Sequence, residues 1–224
     1  MPAKRHPLYR ARHWLIVLWL AAFAFYHMAW SAHKTAFATQ NAFDLAEQVS
    51  IHPAIRAESP TLRTSGLLRL SIPLMAFGIA LTGLLYEDIR WRWRWRGLAL
   101  LVALRAIPPE SDLRPISDLP DKANAFQLAL LTALGLILVL ATLPQPIRVW
   151  MQRHLSAVEA GLCSLALVLP MIGLERALRL WNELNLEVSL GGGAVLYVAA
   201  LIGIGALVLR HLKANDPVLS EAVS

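Results

Sequence analysis

Charged side chains are scarce in this chain of 224 residues. Asp, Glu, Lys and Arg make up 16% of it, whereas apolar residues make up 57%. A soluble domain carries about a quarter charged residues, because its surface has to face water. The mean hydropathy is +0.51. This composition excludes a disordered chain and predicts an integral membrane protein.

Cysteine is almost absent as well. The single cysteine, Cys163, lies inside an apolar run, so no disulfide can form within the chain. This count excludes a small secreted fold held together by disulfides. Nothing near Cys163 in the sequence favours a reactive thiolate, and we expect it to be a small buried apolar side chain.

Long apolar runs, by contrast, are plentiful. Five stretches are long and apolar enough to cross about 30 Å of hydrocarbon, which takes about 20 helical residues. We predict a single all-α membrane domain over residues 1–224, a polytopic transmembrane helical bundle of about five crossings, with four or six as alternatives. An outer loop over 32–66 and a basic inner loop over 87–123 join these crossings. The predicted helices are approximately 14–31, 67–86, 124–143, 156–174 and 193–209.

The distribution of Lys and Arg predicts the orientation. With the N-terminus inside, thirteen of these residues fall on the inner side and seven on the outer side. Because basic loops stay in the cytoplasm, we predict a multi-pass protein of the cell (inner) membrane with a cytoplasmic N-terminus and an outer C-terminus. The outer position of the C-terminus conflicts with the basic residues near it, because Arg210, His211 and Lys213 would favour the inner side. The first apolar run also fits a cleavable signal peptide, although its bulky continuation past His27 favours an uncleaved crossing.

The inner loop contains a strict alternation of Arg and Trp. In an extended strand each residue type would occupy one face, with Trp at the acyl boundary and Arg at the phosphates. The apolar run over 97–107 fits a short helix lying in the interface plane. We predict that the strip binds anionic lipid or docks a partner, with an ordinary topology anchor as the alternative and no role in nucleic-acid binding. The strip comprises Arg90, Trp91, Arg92, Trp93, Arg94, Trp95 and Arg96.

The outer loop contains a short amphipathic helix with two acids and a nearby histidine. Asp44 and Glu47 are neighbours on one face of residues 41–49, and His52 follows in the turn. Such groups can form a metal site or an acid–base pair, but the spacing matches no ligand motif, so a solvated helix face is the simpler interpretation.

Four histidines are predicted at the outer face, namely His27, His33, His154 and His211. Haem or chlorophyll ligation by these imidazoles is an alternative. Histidines are common at interfaces without any ligand, and we therefore predict no metal and no cofactor.

Charges inside the predicted crossings are few. Arg69 and Glu159 come third and fourth in their helices, where snorkelling would keep the charge near water. With no other charge deeper in the membrane, a proton pump or an ion-coupled transporter is disfavoured. Glu159 is nevertheless the candidate for an intramembrane polar site.

These features together predict a non-catalytic membrane subunit or scaffold. Small residues such as Ala199 and Gly203 let helices approach closely, and the chain lacks a recognisable catalytic motif. Such a subunit would act by packing against other membrane proteins. The alternatives are a small transporter or channel with Glu159 or Pro170 at its gate, and a redox protein or membrane enzyme that uses the outer-face residues.

Overall fold

The computed structural model of the protein is mostly helical. It describes residues 7–33, 39–58, 63–106, 135 and 145–213. Short 3-10 turns cover Pro7–Tyr9 and Gly83–Leu85. Apart from Gly135, the predicted crossing over 124–143 lies outside the described residues. The helices are α1 (Arg12–Tyr26), α2 (Ala42–Ile51), α3 (Pro53–Arg56), α4 (Thr64–Arg69), α5 (Ser71–Thr82), α6 (Ile89–Leu104), α7 (Gln145–Glu183) and α8 (Gly192–Lys213).

Three helical stretches of the described residues are long and apolar enough to cross a membrane. They are Thr64–Leu85, which joins α4 and α5, Val149–Glu183 within α7, and Gly192–His211 within α8. Helix α1 is apolar but shorter, with 15 residues. The structure therefore supports a helical membrane protein, whereas the predicted number of about five crossings is not confirmed.

Helix α8 runs antiparallel to both α7 and α1. Cys163 Sγ donates to the Leu201 carbonyl at 3.0 Å and the Tyr197 hydroxyl to the Ala166 carbonyl at 2.7 Å, so α7 and α8 are antiparallel. The same holds for α1 and α8, because strand β1 (Ala29–Ala32) after α1 pairs with strand β3 (Ser189–Leu190) before α8. These hydrogen bonds set the register of the bundle.

The two ends of the bundle differ, and we name them by their residues. The sheet end holds β1, which lies between β3 and a two-residue strand β2 (Gln40–Asn41). The basic end holds the first turn of α1, where His13 Nδ1 lies 3.0 Å from the Tyr86 hydroxyl. Gln152 Nε2 donates to the Leu84 carbonyl at 2.9 Å and brings the early part of α7 to the same end.

The last turns of α8 also lie at the basic end, beside the 3-10 turn that precedes α1. The end of α8 thus lies at the same end of the bundle as the start of α1, whereas the prediction placed them on opposite sides. The error arises from α6, which was predicted to be an interfacial segment. In the structure it is one more helix that runs from one end of the bundle to the other.

Helix α6 packs antiparallel to α5. Trp95 lies next to Gly83, where a Cβ atom on residue 83 would come within 3.1 Å of the Trp95 Cβ. At the far end of α6 the Arg105 guanidinium lies 4.7 Å from the centre of the Phe43 ring, and Arg69 of α4 lies 5.9 Å from the same ring. The prediction of a short helix lying across the bundle in the interface plane does not match this packing, because α6 lies along Thr64–Leu85, a stretch long and apolar enough to cross a membrane.

Helix α2 covers the sheet end. Asn41 caps it, since its side-chain oxygen accepts a hydrogen bond from the Asp44 backbone N–H at 2.9 Å. The predicted amphipathic helix over 41–49 is confirmed. Its buried apolar face comprises Phe43, Leu45, Ala46 and Val49.

Candidate functional site

A carboxyl group lies at the centre of the bundle, where α1, α5 and α7 meet. Glu159 of α7 is fully buried. Its Oε2 accepts a hydrogen bond from Trp19 Nε1 at 3.1 Å, and its Oε1 lies 2.8 Å from the Thr82 hydroxyl. We call Trp19, Thr82 and Glu159 the central cluster. Each of its three members comes from a different helix, so the cluster joins all three.

The absence of a side chain at Gly78 lets Trp19 reach this position. A Cβ atom at residue 78 would lie 2.5 Å from Trp19 Cζ2 and 2.8 Å from Trp19 Nε1, which are impossible contacts. Gly78 and Thr82 are one helical turn apart on α5. One face of α5 therefore provides both the space for the indole and the hydroxyl that meets the carboxyl group.

Thr82 can take part in two arrangements of hydrogen atoms. Its Oγ1 lies 2.9 Å from the Gly78 carbonyl and 2.8 Å from Glu159 Oε1, but the hydroxyl has only one hydrogen to donate. When Glu159 is a neutral acid, it donates to Thr82, which donates to Gly78. When Glu159 is ionised, Thr82 donates to it. The cluster can thus accept or release a proton without moving its heavy atoms.

The burial of Glu159 differs from the prediction. Helix α7 starts at Gln145 rather than at residue 156, which puts Glu159 about four turns inside the helix. Arg69 does not snorkel either, since it is 3% exposed beside Phe43 of α2. The prediction that Glu159 lies near the end of its helix, with its charge close to water, is therefore wrong.

The four histidines that we predicted at one face are divided between the two ends. His27 and His33 lie at the sheet end, where one precedes and the other follows β1 in the sequence. His154 packs against Trp150 early in α7, and His211 Nδ1 lies 2.7 Å from the Leu207 carbonyl late in α8, so both are at the basic end. The predicted gathering of all four at one face is wrong, because leaving α6 out of the crossings put the start of α7 and the end of α8 at the wrong end of the bundle.

Asp44 and His52 of the outer loop serve local structure. Asp44 accepts a hydrogen bond from the Asn41 side chain at 2.7 Å, and His52 Nδ1 accepts one from the Ala54 backbone N–H at 3.3 Å. His52 thereby caps α3. Within the described ranges, no three His, Cys, Asp or Glu side chains are grouped so as to hold a metal ion.

The Arg and Trp strip is helical, so the division into an arginine face and a tryptophan face that an extended strand would give does not occur. In a helix, residues four apart share a face. Trp91 and Trp95 accordingly stack on each other with ring centres 6.1 Å apart, and both contact Tyr86. Trp93 lies elsewhere on the helix and is 52% exposed.

Sequence reasoning missed Trp19, Gly78 and Thr82. Each lies inside an apolar run, where Trp and Gly are ordinary and Thr commonly bonds its own helix. Thr82 and Glu159 are 77 residues apart, and no spacing rule relates them. One hint was available, since an acid within an apolar helix needs hydrogen-bond donors from other helices.

No protein-family model, curated protein or solved structure matches this chain.

Proposed function

We propose that this protein is a non-catalytic subunit or scaffold of a larger membrane protein complex. The observation that carries the proposal is the contrast between its interior and its outer face. The central cluster is closed by side chains of the protein itself, so its polar groups serve to fix the helices. The surface left for interaction is the apolar outer face of α7 and α8.

This outer face is extensive. In the most apolar stretch of Thr64–Leu85, 83% of the residues are buried. In the corresponding stretches of α7 and α8, only 39% of the residues are buried. Along α8 the large side chains Val195, Ile202 and Leu209 recur every seven residues and are 55%, 59% and 55% exposed. Ala199 and Ala206 lie between them and are also exposed. Small residues between large ones allow a second helix to approach closely, which suits a partner in the membrane.

The native mass of the protein tests this proposal. We expect that gentle solubilisation from its own host and native electrophoresis will place it in a large band with constant companions, which mass spectrometry identifies. A free monomer or a small homo-oligomer would contradict the proposal. The same gel with an Ile202→Asn variant, whose change lies on the outer face of α8, should show loss of the companions.

A small transporter or channel is the second candidate, and the depth of Glu159 favours it. Ionisable groups in the middle of a membrane often lie on the path of a proton or an ion. Both oxygens of Glu159 are engaged within the bundle, which fits a structural role better. Flux into proteoliposomes that Glu159→Gln abolishes would support transport and would count against the subunit role.

We also propose that the basic end faces the cytoplasm. The start of α1 and the end of α8 would then both lie on the cytoplasmic side. The charges of the two ends support this orientation, because cytoplasmic surfaces hold an excess of Lys and Arg. Among the residues that the structure describes, the sheet end has six basic and six acidic residues, whereas the basic end has ten basic residues and two acids. The basic end comprises Arg10, Arg12, Arg90, Arg92, Arg94, Arg96, Arg148, Arg153, Arg210 and Lys213, with Glu87 and Asp88; the sheet end comprises Arg56, Arg63, Arg69, Arg105, Arg176 and Arg179, with Asp44, Glu47, Glu58, Glu175, Glu183 and Glu187.

Cysteine labelling checks this orientation. In a Cys163→Ala background we place one cysteine at each end, either Glu87→Cys at the basic end or Glu187→Cys at the sheet end; both positions are exposed. A membrane-impermeant maleimide applied from outside should label residue 187 in intact cells and residue 87 only after permeabilisation. Labelling in the reverse order would show that the basic end faces outward.

A further inference from the structure

Helix α6 presents one continuous exposed face. We call it the outer stripe of α6, and it consists of Arg90, Arg94, Gly97, Leu101 and Leu104. These residues are alternately four and three apart, which is the spacing of one helical face, and every one of them is exposed. The other two arginines of the strip lie on the opposite side, where Arg96 is only 3% exposed. The helical register therefore separates two outward arginines from two inward ones.

The chemistry of the outer stripe changes along the helix. Its first half is cationic, whereas Leu101 and Leu104 in its second half are 66% and 48% exposed. Arg94 and Leu101 are two turns apart, about 10 Å along the axis. A phospholipid has the same order of groups, with an anionic phosphate followed by an acyl chain. Since α6 lies along the crossing helix Thr64–Leu85, this order matches the direction from headgroup to hydrocarbon.

An aromatic ring holds Arg94 in place. The Arg94 guanidinium lies 4.7 Å from the centre of the Trp91 ring, which in turn stacks on Tyr86. Trp91 and Trp93 are 43% and 52% exposed, as expected of indoles at the headgroup level. The nearest acid, Asp88, caps α6, because its Oδ1 accepts a hydrogen bond from the Arg90 backbone N–H at 2.8 Å. Among the described residues, no carboxylate pairs with Arg90 or Arg94.

We propose that the outer stripe of α6 binds an anionic phospholipid, with the headgroup phosphate at the guanidinium groups of Arg90 and Arg94 and an acyl chain along Leu101 and Leu104. Guanidinium groups bind phosphate oxygens in fork geometry, so two of them one turn apart suit this ligand. An acidic protein would fit the arginines but not the exposed leucines that follow them. The proposal goes beyond the subunit role and is tested separately from it.

Lipid retention provides the test. The full-length protein is reconstituted in nanodiscs with equal amounts of phosphatidylglycerol and phosphatidylcholine and transferred into mild detergent, and the retained lipids are counted by native mass spectrometry. We expect wild type to retain phosphatidylglycerol preferentially. The R90Q/R94Q variant should lower that preference by roughly 30-fold, since each basic residue near a membrane surface contributes about a fivefold gain.

The matched control is R176Q/R179Q, which removes the same charge from exposed positions at the sheet end. It should leave the preference unchanged, and excess inorganic phosphate should not displace the lipid. An unchanged preference in R90Q/R94Q, an equal loss in the control, displacement by free phosphate, or capture of an acidic protein without any lipid preference would each overturn the proposal. If the double variant does not fold, R94Q and R94K take its place. Loss of the preference in R94Q with partial retention in R94K supports the site, because lysine keeps the charge but not the fork geometry. A wild-type preference in R94Q contradicts it.

Discussion

Replacing Glu159 with alanine should lower the free energy of unfolding by about 2–4 kcal/mol. The substitution removes the acceptor of the Trp19 indole N–H and the partner of Thr82, and it leaves a cavity between three helices. Glu159→Gln should cost less than about 1 kcal/mol, because the amide oxygen accepts from Trp19 and the amide N–H donates to Thr82. Reversible unfolding in detergent micelles, followed by near-ultraviolet circular dichroism, measures both.

Ser164→Ala is the matched control for this prediction. Ser164 lies on the same helix and bonds only its own turn, to the Ala160 carbonyl at 2.9 Å, and it is exposed. Its removal should change the stability by no more than about 0.5 kcal/mol. If Glu159→Ala were as stable as the control, the central cluster would not hold the helices together. If Glu159→Gln were as unstable as Glu159→Ala, the cluster would require an ionised carboxylate.

Replacing Gly78 with alanine should also be strongly destabilising, by about 2–3 kcal/mol. The added methyl group would overlap the Trp19 indole, which is fully buried and cannot move aside without losing its bond to Glu159. In a double-mutant cycle, Trp19→Phe should recover part of the loss, because the smaller ring frees the space that the methyl group needs.

Gly161→Ala is the control for this cycle, since a Cβ at residue 161 would meet nothing within 4 Å. It should be neutral or slightly stabilising, because alanine favours a helix over glycine. Strict additivity between Gly78→Ala and Trp19→Phe would show that the two residues do not interact, and would contradict the packing described here.

The sequence was a good guide to the membrane helices and a poor guide to their arrangement. Hydropathy reports whether a segment is apolar over its whole circumference, and this was enough to find the helices later seen at Thr64–Leu85 and Gly192–His211. Hydropathy failed to identify α6 as a helix of the bundle. The first half of α6 contains four arginines, which lower the mean hydropathy of the segment although it packs along α5. That one omission reversed the side predicted for the end of α8.

The central cluster was beyond sequence reasoning for a different reason. Glu159 was visible as an acid in an apolar run, but its depth depended on where α7 begins. The run from Gln145 to Ser156 is polar and basic, which is typical of a loop, whereas helix formation there follows from packing at the basic end, where Gln152 bonds the Leu84 carbonyl. Trp19 and Thr82 join Glu159 only through contacts between distant segments.

Photo-cross-linking from the outer face of α8 tests the subunit proposal most directly. A photoreactive residue is introduced at Ile202, which is 59% exposed, and for comparison at the neighbouring Leu201, which is fully buried. After irradiation of native membranes, we predict that position 202 gives one discrete adduct with another membrane protein and that position 201 gives none. Adducts with lipid alone at positions 195, 202 and 209 would contradict the proposal that this face binds a partner subunit.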